Sequence, residues 1–91
     1  MDIIKKYDGK ELTITVKEKI DTITAPDFEN EIFDEMGNFD SLTVDFTDLE
    51  YISSAGLRVL LTAQKKMNIQ GSMELINVSE DVMDILEMTG F

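Results

Sequence analysis

Apolar and polar residues alternate strictly along two short stretches of the chain. At residues 12–16 and 42–46, apolar side chains occupy every second position, with threonine or aspartate between them. This period of two is typical of β-strands with one buried face. Residues 3–7 and 72–78 predict two further strands. Asp8 and Gly9 form a favoured turn dipeptide, which predicts that the first two strands make an antiparallel hairpin.

Three other segments carry apolar residues at the spacing of amphipathic helices, namely residues 25–36, 57–69 and 80–88. Thr24 is expected to cap the first helix, and Gly37 and Gly71 are expected to end the first and second. The apolar faces consist of Phe28, Ile32 and Met36 in the first helix, Leu57, Leu60, Leu61 and Met67 in the second, and Val82, Ile85 and Leu86 in the third.

The resulting order of elements is β-β-α-β-α-β-α. Strands separated by helices pair in parallel through right-handed crossovers, so the hairpin and the crossovers together predict a mixed four-stranded sheet. Because the strands alternate and are not continuously apolar, the helices should lie mainly on one face. The whole chain, residues 1–91, is therefore expected to be one small α/β domain.

Charge and residue inventory narrow the possible functions. Nineteen acidic residues against eight basic ones give a formal net charge of −11. Such a surface disfavours nucleic acid and anionic lipid and attracts a basic partner, although acidity also simply keeps small proteins soluble. The chain has neither histidine nor cysteine. Because the commonest general base, thiol nucleophile and zinc ligands are absent, we expect no enzyme, metal site or cofactor.

The sequence also indicates where in the cell the protein is located. No apolar run reaches the roughly 18–20 residues that cross a bilayer, and the N-terminus lacks the apolar core of a signal peptide. A chain without cysteine suits a reducing compartment. We therefore expect a cytoplasmic protein that does not bind membranes.

Hydroxyl groups cluster where the third predicted strand leads into the second helix, in residues 44–57, VDFTDLEYISSAGL. Ser53 and Ser54 precede the helix there, and helix N-termini favour anions such as phosphate. Ala55 and Gly56 are expected to keep the backbone open so that another protein can approach closely. Serine before a helix is also the usual N-cap. Spacing alone therefore leaves both a structural cap and a regulatory phosphorylation site open.

Residues 48–61, DLEYISSAGLRVLL, closely resemble the signature of the STAS domain family, the bacterial anti-sigma factor antagonists. Residues 18–26, EKIDTITAP, are similar to the family's loop between its second strand and first helix. Residues 79–82, SEDV, and 88–91, MTGF, are similar to its closing helix and the turn that follows. The resemblance covers nearly the whole chain in the right order.

The resemblance implies a phosphoserine switch. Ser54 matches the serine that is phosphorylated in the family, and Asp21 matches a loop acid near that serine. Ser53 stands where many members have aspartate, so it is the second candidate for modification. We expect Ser54 to cap the helix, so that a phosphate there changes binding partners and not the fold.

The implied partners are an anti-sigma factor that is a serine kinase, bound while Ser54 is unmodified, and a phosphatase that resets Ser54. No nucleic acid or membrane partner is implied. The helical spacing of Leu57 predicts a core residue, although it could also contact the partner. Arg58 is equally well explained as a partner contact or as a solvated charge on the helix. The expected partner-binding residues are Asp21, Asp48, Glu50, Ser53, Gly56 and Arg58.

Two other classes of function remain open. The first is a STAS-type scaffold or transport-associated module without a sigma-factor role. The second is an enzyme that uses Ser54 with Lys65 or Lys66, or a metal or acid–base pair of Asp45 and Asp48. Helical spacing places both lysines about three turns from Ser54, beyond hydrogen-bond reach. Asp45 and Asp48 are better explained as a solvent-facing strand residue and a turn former.

Overall fold

The computed structural model describes residues 2–88. Six strands, three α-helices and a short 3₁₀ helix at Met36–Asn38 make up this part of the chain. The elements are β1 (Ile3–Asp8), β2 (Glu11–Val16), β3 (Glu18–Ile20), α1 (Ala25–Phe33), β4 (Ser41–Asp45), β5 (Leu49–Ile52), α2 (Ser54–Gln70), β6 (Ser72–Ile76) and α3 (Glu80–Met88).

The main sheet has the strand order β1-β2-β4-β6. β1 is antiparallel to β2, whereas β4 is parallel to both β2 and β6. Ile14 of β2 lies beside Val44 of β4, and Val44 in turn lies beside Leu75 of β6. The predicted mixed four-stranded sheet is therefore confirmed, including its N-terminal hairpin.

A second sheet was not predicted. β3 and β5 pair in parallel as a two-stranded ribbon, where the sequence suggested only connecting segments. Each strand has three or four residues, of which only Ile20 in β3 and Leu49 and Ile52 in β5 are buried. Such short strands show no period of two, and they form because each supplies the hydrogen bonds of the other.

Three predicted boundaries are wrong by a few residues. α1 ends at Phe33, and Met36 belongs to the following 3₁₀ helix. α2 begins at Ser54, three residues before the expected start. β6 ends at Ile76 because Asn77 takes a positive φ of 55°, which a strand cannot continue through. The expected end of the third helix at Thr89 and Gly90 lies outside the described residues.

The core lies on one face of the main sheet. The inward side chains of β2 and β4 are fully buried, and the apolar faces of all three helices join the same cluster. On the outward face, Thr13, Thr15, Thr43 and Asp45 stay partly exposed. This arrangement confirms the expected placement of the helices and leaves the start of α2 at the end of the two-stranded ribbon.

Candidate functional site

The two adjacent serines occupy different positions at the start of α2. Ser53 is the N-cap residue, with an extended backbone, and its Oγ accepts a hydrogen bond from the Gly56 N–H at 3.4 Å. The Ser53 N–H donates to the Ile20 carbonyl oxygen at 2.8 Å. Ser54 is the first residue of the helix and is exposed. The expectation that Ser54 caps the helix is therefore wrong, because Ser53 does so.

Gly56 has an internal packing role. It is buried, and a Cβ at this position would lie 2.7 Å from Ile20 Cγ2 and 2.7 Å from Ile52 Cγ1. Glycine thus allows α2 to pack closely on the two-stranded ribbon. This corrects the expectation that Gly56 keeps the backbone open to a partner, because the approach it permits is internal. Leu57 is also in the core, at 5% exposure.

Asp21 organises the loop that precedes α1. Its Oδ1 accepts hydrogen bonds from the N–H groups of Ile23 and Thr24, both at 2.9 Å, and from Thr24 Oγ1 at 3.1 Å. These bonds, chiefly the one from the Thr24 backbone, hold the pKa of Asp21 below its usual value. Thr24 is the N-cap residue of α1 as predicted, but its hydroxyl accepts from the Asp21 N–H and not from the helix.

The hydrogen bond between Ser53 and Ile20 fixes this loop beside the start of α2, because Ile20 immediately precedes Asp21. Lys19 lies 3.6 Å from the other Asp21 carboxylate oxygen, in a partly exposed ion pair. The structure therefore brings the Asp21 loop next to the two serines. It does so through the ribbon of β3 and β5.

The other expected partner-binding residues are more widely spread. Arg58 is exposed one turn after Ser54 on α2, and Glu50 is exposed on β5. Asp48 precedes β5, where its carbonyl oxygen accepts from the Glu18 N–H at 2.9 Å. At about 3.3 Å per strand residue, Asp48 lies about 16 Å from Ser53 along β5. Asp48 is thus at the far end of the ribbon from the serines.

A shallow groove beside Ser54 went unnoticed in the sequence. It has a volume of about 370 Å³ and lies between the N-terminal turns of α1 and α2. Its walls mix apolar and hydroxyl side chains, with one acid and one base at the rim. The groove is lined by Thr22, Ala25, Pro26, Glu29, Ala55, Arg58, Val59 and Thr62.

Two exposed apolar residues near this end of the domain were also missed. Ile23, in the Asp21 loop, is 83% exposed, and Tyr51, on β5, is 48% exposed. Ile23 follows Thr22 and Tyr51 follows Glu50, both in segments that the sequence suggests are loops, so no periodic pattern marks either of them.

Neither lysine of the enzymatic alternative lies close to Ser54. Lys65 and Lys66 lie at least 16 Å along α2 by about 1.5 Å per residue, and the Lys66 ammonium sits 5.1 Å from the centroid of the Phe33 ring. Asp45 accepts hydrogen bonds from Thr47 and from Asn77 Nδ2, and the Thr47 hydroxyl in particular holds its pKa below the usual value. Asp45 is therefore a turn-stabilising residue.

Residues 2–88 contain no group of three or more acidic side chains arranged to hold a metal ion. No helix in the same part of the chain is long and apolar enough to cross a membrane.

Comparison with known proteins gives consistent matches. The family model described as "STAS domain" matches residues 3–91. The sequence is 32% identical over 88 residues to "Putative anti-sigma factor antagonist BtrV" of Bordetella bronchiseptica, covering 94% of this chain and 75% of that protein.

The fold is similar to several solved structures. The unphosphorylated form of the anti-sigma factor antagonist SpoIIAA matches with a TM-score of 0.87 at 15% identity, covering 98% of this chain and 81% of SpoIIAA. The phosphorylated form of the Bacillus SpoIIAA matches with a TM-score of 0.81, also at 15% identity, covering 98% and 84%. The murine anion transporter Slc26a9 matches with a TM-score of 0.74 at 14% identity, covering 91% of this chain but 14% of the transporter.

Proposed function

This chain belongs to the STAS domain family, and on that basis we propose that it is an anti-sigma factor antagonist switched by phosphorylation of Ser54. Unmodified, it binds an anti-sigma factor that is a serine kinase and thereby frees a sigma factor in the bacterial cytoplasm. The kinase transfers the γ-phosphoryl group of ATP to Ser54 Oγ, with loss of the hydroxyl proton and release of ADP. A phosphatase later hydrolyses the phosphoserine.

The observation that carries this proposal is the difference between the two serines. Ser54 is exposed and its hydroxyl is outside the helix-capping hydrogen bond, so a kinase can reach it. The Ser53 hydroxyl is partly buried and is used as the cap. A phosphate on Ser54 would sit at the positive end of the helix dipole, which tolerates it without unfolding α2.

The effect of phosphorylation on binding follows from charge and solvation. A phosphoserine adds about −1.5 to −2 charges at neutral pH and must be desolvated in any interface that covers it. SpoIIAA, which is similar in fold, has been solved in unphosphorylated and phosphorylated forms, and both match this chain over 98% of its length. This supports a switch that changes the surface and keeps the fold.

The test is a binding measurement with the serine kinase encoded in the same operon. Ser54→Asp should weaken the complex by at least about tenfold, and Ser54→Ala should retain it. Ser53→Asp is the matched control, because aspartate is also a good N-cap and places the same charge one residue away. If Ser54→Asp binds the kinase with the same affinity as wild type, the proposed electrostatic switch is contradicted.

A second candidate is a STAS-type interaction module without a sigma-factor role. It is favoured by the similarity of this fold to part of the anion transporter Slc26a9. The two candidates differ in genomic neighbourhood: a kinase gene and a sigma factor gene beside this one favour the switch, and their absence favours the module.

A further inference from the structure

α2 differs in charge from the rest of the molecule. Over its 17 residues it carries Arg58, Lys65 and Lys66 and no acidic residue, whereas the chain as a whole has a net charge of −11. Three of the eight basic residues thus lie on one helix. Such a local reversal of sign creates a surface that attracts acidic groups, although the acidic protein as a whole favours a basic partner.

The exposed face of α2 has a defined composition. At about 100° per residue, five residues fall within an arc of about 80° on the side opposite the buried Ala63 and Met67. All five are exposed, including Leu61 at 39% and Ile69 at 90%. They extend over about 22 Å of helix. We call them the α2 stripe: Ser54, Arg58, Leu61, Lys65 and Ile69.

The two cations of the stripe are not used inside the domain. The ion pairs between described residues involve Lys5 and Lys19, and neither Arg58 nor Lys65 takes part in one. Lys66, by contrast, turns towards α1 and lies over the Phe33 ring. Arg58 and Lys65 are therefore free to meet charges outside the molecule, next to two exposed apolar side chains.

We propose that the α2 stripe is the docking surface for a partner protein that presents acidic side chains around an apolar patch. This inference rests on the proposed function, since it takes the partner to be the protein that Ser54 regulates. The inference specifies how the partner would bind. Its carboxylates would pair with Arg58 and Lys65, and its apolar patch would cover Leu61 and Ile69.

Charge complementarity selects a protein partner over a polyanion. A nucleic acid or an anionic membrane extends well beyond the stripe and would also face the acidic remainder of the domain. A compact acidic patch interacts mainly with charges within the screening length of about 8 Å at physiological salt. The charges on α2 itself are all positive, and Glu29 of α1 lies across the groove from Arg58.

The α2 stripe also explains why phosphorylation of Ser54 should weaken binding and not strengthen it. Ser54 lies at its N-terminal end, and a phosphate there brings nearly as much negative charge as Arg58 and Lys65 bring positive charge. An acidic partner would then face a stripe with almost no net attraction and a phosphate at its edge. Repulsion follows without any change in the fold.

The first experiment reverses charge at two places. Arg58→Glu with Lys65→Glu changes the stripe, and Lys6→Glu with Lys10→Glu makes the same change in net charge on the exposed hairpin. Affinity for the co-encoded kinase is measured by calorimetry, with thermal unfolding as the check on folding. We expect the stripe pair to lose at least about tenfold and the hairpin pair to stay within about twofold. Equal effects of both pairs would overturn the proposal.

The second experiment does not depend on the kinase. The ¹⁵N-labelled chain is titrated with a synthetic amphipathic helix of glutamate and leucine, with its lysine–leucine counterpart, and with anionic vesicles. The glutamate peptide should shift the amide signals of residues 54–69, and Arg58→Glu with Lys65→Glu should abolish the shifts. No shift on α2, or a response of α2 to the vesicles, would overturn the docking surface. If the wild-type chain does not bind the kinase but still responds to the glutamate peptide, only the proposed function is contradicted.

Discussion

Ser53 and Ser54 are chemically identical neighbours whose roles are separated by backbone geometry. The extended backbone of Ser53 directs its Oγ to the Gly56 N–H, whereas Ser54 already has helical geometry and faces solvent. Ser53→Ala should therefore lower the free energy of unfolding by about 0.5–1 kcal/mol, because an N-cap is lost. Ser54→Ala should stay within about 0.5 kcal/mol of wild type. Urea unfolding of both variants measures the difference, and equal destabilisation would contradict the assignment of the cap.

Gly56 is a second residue whose role depends on what it touches. Alanine is a better helix former than glycine by about 1 kcal/mol, so a solvent-facing Gly56→Ala would stabilise α2. The added Cβ would instead press on Ile20 and Ile52 at 2.7 Å. We expect a net destabilisation of about 1–2 kcal/mol, since overpacking outweighs the gain in propensity. A rise in melting temperature for Gly56→Ala would show that the contact with the ribbon relaxes freely.

At the scale of elements, the chain makes a close backbone approach at the junction between α2 and β6. A Cβ on Gly71 would overlap the carbonyl oxygen of Asp40, which also accepts a hydrogen bond from the Ser72 N–H at 3.0 Å. Because backbone, unlike a side-chain end, cannot give way, Gly71→Ala should cost about 3 kcal/mol or more. Gly37→Ala is the control, since nothing lies within 4 Å of its Cβ. Similar stability of the two variants would contradict this packing.

The loop between β3 and α1 gives a prediction about pH. The hydrogen bonds to Asp21 lower its pKa in the folded protein, so they stabilise the fold while the carboxylate is ionised. That contribution is present above the unfolded pKa, near 4, and is lost as the pH falls through the folded value. Asp21→Asn should therefore be less stable than wild type at pH 7, with a gap that narrows below about pH 4. Denaturant unfolding across this range tests it, and a constant gap would contradict it.

At the scale of the whole molecule, the sequence predicts the layers better than it predicts the site. β2 and β4 are central strands with one buried face, so their alternation is strong and their pairing follows from the crossovers. The ribbon of β3 and β5 could not be predicted, because its short strands show no alternating pattern and neither is stable without the other. The same ribbon decides the site: it holds the Ile20 carbonyl against Ser53 and closes over Gly56. Spacing alone could not tell which serine is the cap or that Gly56 faces inwards.

The central claim is that Ser54, and not its neighbour, receives the phosphate that controls binding. The most direct measurement is to incubate the chain with ATP and the serine kinase from the same operon and to locate the phosphate by mass spectrometry. Wild type and Ser53→Asp should each gain one phosphoryl group on Ser54, and Ser54→Ala should gain none. Phosphate on Ser53, or undiminished labelling of Ser54→Ala, would contradict the account.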